Sequence, residues 1–185
     1  MQTEKTGFPE VIKISPHVRK DKRGHFLEIF NASAYADVTN TSEWTQDNSS
    51  RSSCGVIRGL HLQWPKPQGK LVSVACGKIF DVAVDVRRGS PTFGHWVAEV
   101  LDDVKCQQLW IPPGFAHGFQ ALSSYAIVHY KCSANFWSPD TELSIHYDDP
   151  SIGIEWPLPV TQSNSKDSEA PFLRDCTNLP SEHEL

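Results

Sequence analysis

The stretch KIFDVAVDV, Lys78 to Val86, decides the fold class. Phe80, Val82, Val84 and Val86 alternate with Asp81, Ala83 and Asp85, the two-residue period of a β-strand. Carboxylates on one face read first as the solvated side of an antiparallel sheet. A sharper reading is a barrel whose interior is polar because it holds a ligand. Outward from this strand, turn residues recur: Pro65, Pro67 and Gly69, then Gly77, Gly89–Pro91, Pro112–Gly114, Ser138–Pro139 and Asp149–Pro150. Between them, strands are expected at Leu71–Cys76, Gly94–Leu101, Gln107–Ile111 and Ala126–Cys132. Short strands between regularly spaced turns make an all-β sandwich or barrel. Helix signals are confined to a short turn after Asn31 and another near Lys166–Ala170.

With 185 residues the chain is expected to form a single domain, 1–185. No linker divides it, and the polar residues 160–185 are expected to wrap the outside. No apolar run approaches the roughly 18 residues of a membrane-spanning helix. The opening MQTEKTGFPEVIK has neither the basic start nor the apolar stretch of a secretory signal. Five Cys form no Cys-x-x-Cys pair, so thiols packed as small hydrophobes in a reducing cytoplasm are expected. A net charge of −5 argues against a protein that coats nucleic acid, though not against a local basic pocket for a small anion.

Of eight His, two have unusual company. His61 lies in CGVIRGLHLQ, with Arg58 upstream and Lys70 beyond the next turn. His117 lies in WIPPGFAHGFQ, after a sharp turn and between Phe115 and Phe119. A metal site on a small β-barrel usually takes two His two residues apart on one strand, a nearby Glu and a distant third His. Here the first element is His61-Leu62-Gln63, so no metal is expected. Without metal, His61 is suited to acid–base work, provided that a cation such as Lys70 or Arg58 stabilises the negative charge it creates. Arg58 and His61 differ in parity, so a regular strand points them to opposite faces. Gly59 is the natural place for a bulge that brings both to one side. DKRGHFLEIF, 21–30, mixes charges with aromatics as a protected edge strand or a binding segment does. QDNSS, 46–50, reads as a polar loop.

Taken together, these segments resemble the dTDP-4-dehydrorhamnose 3,5-epimerase family of nucleotide-sugar enzymes. The resemblance is carried by DKRGHFLEIF, by QDN at 46–48, by GVIRGLHLQ followed by PQGKLV, and by IFDVAVDVRRGSPTFG, WIPPGFAHGF and DDPSIGIEWP. It runs from about residue 9 to residue 175. It implies a cupin-type jelly roll, no metal and no organic cofactor, and a homodimer whose pocket is shared between subunits. The implied substrate is dTDP-4-dehydro-6-deoxy-D-glucose, inverted at C3 and C5 to dTDP-4-dehydro-L-rhamnose. Both protons are acidified by the C4 ketone between them, so removal to an enolate and return to the other face is one chemistry used twice.

By the same resemblance, His61 matches the general base and Asp167 the acid that orients it. Lys70 matches the cation beside the enolate oxygen, and Tyr130 the general acid on the opposite face. Arg58, His117, Glu142 and Lys166 match substrate-binding positions, as do Gln46, Asp47 and Asn48. Arg23 and Glu28 match residues that reach the nucleotide from the neighbouring subunit. The segment SANFWSP departs from the family's Tyr pair with Phe136 and Trp137, and Trp137 is expected to stack on the pyrimidine. Leu62 stands where the family commonly has an aromatic. The rival readings are an epimerase acting at C3 or C5 alone and, from another class, a metal-dependent cupin enzyme. A silent sugar-nucleotide-binding module is disfavoured by the intact set of His61, Lys70, Tyr130 and Asp167.

Overall fold

The turn residues and alternating runs produce thirteen short strands, seen here in a computed structural model that describes residues 1–134 and 141–184. They begin with β1 (Gln2–Lys5), β2 (Ile12–Ser15), β3 (Arg19–Asp21), β4 (Gly24–Phe26), β5 (Gln46–Ser53), β6 (Ile57–Gln63) and β7 (Lys70–Cys76). There follow β8 (Lys78–Asp85), β9 (Trp96–Asp102), β10 (Gln108–Ile111), β11 (Phe115–Ala121), β12 (Tyr125–Cys132) and β13 (Glu142–Ser144). Helix α1 (Ala32–Thr39) starts where Asn31 caps the Ala34 N–H, and α2 (Ser165–Ser168) where Asn164 caps that of Asp167. One sheet has the order β1-β2-β10-β7-β12-β5 and the facing one β13-β6-β11-β8-β9. Their pairings are antiparallel, and the two sheets form the jelly roll of the cupin type. The hairpin β3–β4 stands apart as its own two-stranded sheet. Among the described residues no helix is long and apolar enough to cross a membrane.

The expected strands appear with ends shifted by a residue or two. No strand is expected from the sequence at β1, β2, β11 or β13, and QDNSS is not a loop but the start of β5. It is polar because its inward residues line a cavity rather than an apolar core.

The solvated-face reading of β8 is overturned. Ile79 and Ala83 turn inward and pack with Val72, Val74, Leu109 and Val128 between the sheets. Asp81 and Asp85 share that face and are both 0% exposed. The outward stripe of Val82, Val84 and Val86 is covered by Ile145, Ile152, Leu173 and Leu179 from the C-terminal part of the chain. Burying four such aliphatic side chains contributes about 1.5–3 kcal/mol each. The apolar face therefore seals the outside of the sheet, and the carboxylate face is left for the interior. Asp85 is fully engaged there. Burial alone would raise its pKa, but hydrogen bonds from Arg87, Ser90 and Thr92 hold the carboxyl below its usual range.

The expected bulge is present in β6. His61 lies opposite His117 and Arg58 opposite Phe119, so three steps of β6 match two of β11. Gly59 has φ +120°, and a Cβ there would lie 2.5 Å from the Gly118 Cα and 2.7 Å from the His117 carbonyl oxygen. Neither the conformation nor the space admits a side chain. Both Arg58 and His61 consequently face the cavity. Replacing Gly59 with Ala is expected to destabilise the fold by more than about 2 kcal/mol, seen as a lower urea midpoint with an unchanged slope. A variant as stable as wild type would show that the bulge does not require glycine.

Candidate active site

The sheets open on a cavity of about 350 Å³. The six-stranded wall presents Gln46 and Asn48 from β5, Lys70 from β7 and Tyr130 from β12. The register explains the set. Tyr130 pairs with Asn48, and Cys132 pairs with both Gln46 and Lys70, so these side chains share the inward face. The opposite wall presents Arg58 and His61 from β6, His117 from β11 and Glu142 from β13, with Asp167 of α2 behind His61.

Asp167 is completely buried. Its Oδ1 lies 2.6 Å from His61 Nε2, and its Oδ2 accepts from the Gly59 N–H at 3.0 Å. Its own N–H donates to Asn164 Oδ1 at 2.7 Å, which sets the start of α2. A buried carboxylate on one ring nitrogen fixes Nε2 as the protonated one and leaves Nδ1 as the proton acceptor. His117 forms a second pair, with its Nε2 2.7 Å from Asp81 Oδ1.

Burial lowers the Lys70 pKa, opposed by Cys132, Glu142 and Asp81. Its ammonium donates to the His61 carbonyl oxygen at 3.4 Å. Burial raises the Tyr130 pKa, with Cys132 adding to the effect and Arg58 opposing it, so the phenol holds its proton at neutral pH. Arg58 is steadied by Ser52 Oγ at 2.9 Å and the Arg51 carbonyl oxygen at 3.1 Å. Lys166 and Glu142 form an ion pair at the rim. The arrangement places an oriented imidazole on one wall, a neutral phenol on the other and an ammonium in the same cavity. Such a set can remove a proton from carbon, stabilise the resulting oxyanion and return a proton from the opposite side.

Other expected residues lie elsewhere in this chain. Asp47 points to the opposite face of β5, 2.6 Å from Lys131 Nζ, because adjacent strand residues point to opposite sides. Arg23 is exposed on the β3–β4 hairpin and paired with Asp21. Glu28 is exposed beyond it and accepts from Asn31 Nδ2 at 3.4 Å. Trp137 lies outside the described residues. Leu62 is buried in the outer apolar cluster and is also among the residues that line the cavity. Ser50, Gln63, Gln68 and Asn164 also line the cavity and were not singled out in the sequence. Alternation from Gln46 and Asn48 would have found Ser50, and the Asn-x-x-Asp cap spacing would have found Asn164.

Asp167→Asn is expected to keep one of the two contacts of the carboxylate at the cost of the other. We expect about 1–3 kcal/mol of lost stability and a His61 ring no longer held in one tautomer. Thermal melting and the ring ¹⁵N shifts check this, and a single unchanged tautomer would refute it.

The sequence profile of dTDP-4-dehydrorhamnose 3,5-epimerase matches residues 5–175. An enzyme of that name from Pseudomonas aeruginosa is 45% identical over 180 residues, covering 95% of this chain and 99% of its own. Its counterpart in Salmonella typhimurium is 46% identical over 172 residues, with 91% and 93% covered. The crystal structure of dTDP-6-deoxy-D-glucose-3,5-epimerase from Legionella pneumophila, in complex with dTDP-4-keto-L-rhamnose, superposes with a TM-score of 0.92. Its identity is 46%, and 97% of each chain is covered. A shared fold, a profile spanning nearly the whole sequence and a cavity suited to proton transfer at carbon agree: the chain belongs to the dTDP-4-dehydrorhamnose 3,5-epimerase family.

Proposed function

We infer that the protein inverts C3 and C5 of dTDP-4-dehydro-6-deoxy-D-glucose to give dTDP-4-dehydro-L-rhamnose. The observation that carries the reading is the His61–Asp167 pair on one wall facing the neutral Tyr130 phenol on the other. His61 Nδ1 takes the proton beside the C4 ketone, and Asp167 holds the imidazolium that forms. Lys70 stabilises the enolate oxygen, and Tyr130 donates to the opposite face of the carbon. Repetition at the second carbon needs no further group, since the same ketone acidifies both. The Legionella relative binds a dTDP-linked 4-keto sugar of this kind, which supports the substrate class. Arg58, His117, Glu142 and Lys166, with Gln46 and Asn48, bind the sugar diphosphate. Diphosphate recognition by Arg and Lys makes electrostatic sense even in a chain of net charge −5.

Arg23 and Glu28 complete the site of a second copy in a homodimer. The exposed β3–β4 hairpin and the exposed Phe26 and Ile29 beside them support this reading. The five free thiols suit the cytoplasm as the compartment.

Reaction with this substrate in D₂O, followed by NMR, is expected to introduce deuterium at both C3 and C5. Exchange at one carbon would narrow the reaction to a single epimerisation, and exchange at neither would defeat the assignment. His61→Ala should lower turnover by about 10²–10⁴-fold with the fold intact. Tyr130→Phe should slow epimerisation more than loss of the substrate proton.

The pH dependence follows from the two shifted groups. Lys70 must be charged and Tyr130 protonated, so both are lost as pH rises. Burial moves Lys70 down and Tyr130 up, and both shifts act to bring loss of the ammonium ahead of loss of the phenol proton. The alkaline limb of kcat should lie below the ordinary lysine value of 10.5 and keep its position in Tyr130→Phe. A limb that moves with Tyr130→Phe would assign it to the phenol instead.

A further inference from the structure

The wall formed by β6 and α2 carries an amide that the proposed chemistry leaves unused. Asn164 is exposed and lines the cavity together with Arg58 and Asp167. Its Oδ1 accepts the Asp167 N–H at 2.7 Å. A backbone N–H can only donate, so this contact settles which end of the amide is oxygen. The other end, Nδ2, has no acceptor among the described residues. The segment leading to it is well anchored. Gln120 clamps Leu158 through two hydrogen bonds of 2.8 and 3.0 Å. The Thr161 N–H then donates to the Gly55 carbonyl, and the Gln162 carbonyl accepts from the Ile57 N–H, each at 3.1 Å. A donor held this way loses little freedom on meeting a ligand.

Arg58 offers a second set of free donors. Its Nε donates to Ser52 Oγ and its Nη2 to the Arg51 carbonyl oxygen, while Nη1 has no partner among the described residues. A smaller cavity of about 240 Å³ adjoins the first, lined by Ser52, Gln162 and Ser163 among others. Arg58 and Asn164 line both cavities, so the two meet at this pair. No carboxylate is among the described residues lining the smaller one. In the larger one, Asp167 is committed to His61 and the Gly59 N–H, and Glu142 is paired with Lys166. A guanidinium edge and an amide donor meeting in this way suit an anionic oxygen with several lone pairs, as a phosphate presents.

We propose that Asn164 is a substrate-binding residue whose Nδ2 donates, together with Arg58 Nη1, to the diphosphate where the two cavities meet. The proposal rests on the reading of the substrate as a dTDP-linked sugar and adds to it a residue that the sequence motifs do not supply. Helix α2 has four residues and presents no anion site of its own, so the contact is one between side chains and ligand.

Asn164→Ser and Asn164→Asp both keep an oxygen to start α2, and both lose the Nδ2 donor. With dTDP as the probe in calorimetric titration, serine is expected to weaken binding about tenfold. Aspartate, which adds a like charge, should weaken it further. Thymidine, which lacks the phosphates, should not distinguish wild type from either variant. Equal dTDP affinity in wild type and both folded variants overturns the proposal. A second measurement needs no substitution. In wild-type protein ¹⁵N-labelled at asparagine, the Asn164 side-chain NH₂ signal should move on saturation with dTDP and stay in place with thymidine. A signal that ignores dTDP, or that moves equally with thymidine, overturns the proposal even if neither variant folds. Wild type that binds no dTDP would count against the assigned substrate. Inorganic pyrophosphate then judges Asn164 alone: a moving NH₂ signal supports the contact, and a fixed one refutes it.

Discussion

The carboxylate of Asp167 ties together the parts on which the site depends. It contacts the His61 ring, accepts the N–H of Gly59 in the bulge, and belongs to the short helix that Asn164 starts. A buried carboxylate with these partners is favourable only while all of them are in place. The bulge, the ring orientation and the position of α2 are therefore mutually dependent. The bulge in turn rests on Gly59 and Gly118 meeting backbone to backbone, closer than a Cβ allows.

The polar interior has its own requirement. A sheet whose valine stripe faced inward would leave no room for Asp81 or Asp85. The chain reverses the faces by folding residues 145–179 over the outside, where Val82, Val84 and Val86 find apolar partners. The inner face of β8 is then divided. Toward one end it carries Ile79 and Ala83 against the facing sheet, and between them it sends Asp81 toward the catalytic side chains. Stability resides largely in the outer layer and the inter-sheet core, while the cavity tolerates groups that do not stabilise the fold by themselves.

Much of this was legible before the structure. The alternation in Lys78–Val86 and the turn residues around it announce strands, because both signals are local. Parity exposed the conflict between Arg58 and His61, and glycine named the place where it is resolved. The misreadings also have physical causes. QDNSS reads as a loop because polarity normally marks solvent, whereas here it marks a cavity wall. The motif groups Asp47 with its neighbours, and strand alternation separates them. Asp81 stood out as a carboxylate on a strand, yet nothing in the sequence pairs it with His117, which is 36 residues away.

By itself the sequence determined the class of the fold, the turns between strands and, through its resemblance to a family, the groups that carry the chemistry. These follow from side-chain alternation, from backbone preferences and from motif order, all of which are properties of neighbouring residues. The tertiary structure alone decided which face of β8 is inside, which of Gln46, Asp47 and Asn48 reach the cavity, and which carboxylate serves which cation. Those outcomes depend on contacts between segments far apart in the chain, above all the C-terminal cover over the outer sheet and the register of β5, β12 and β7.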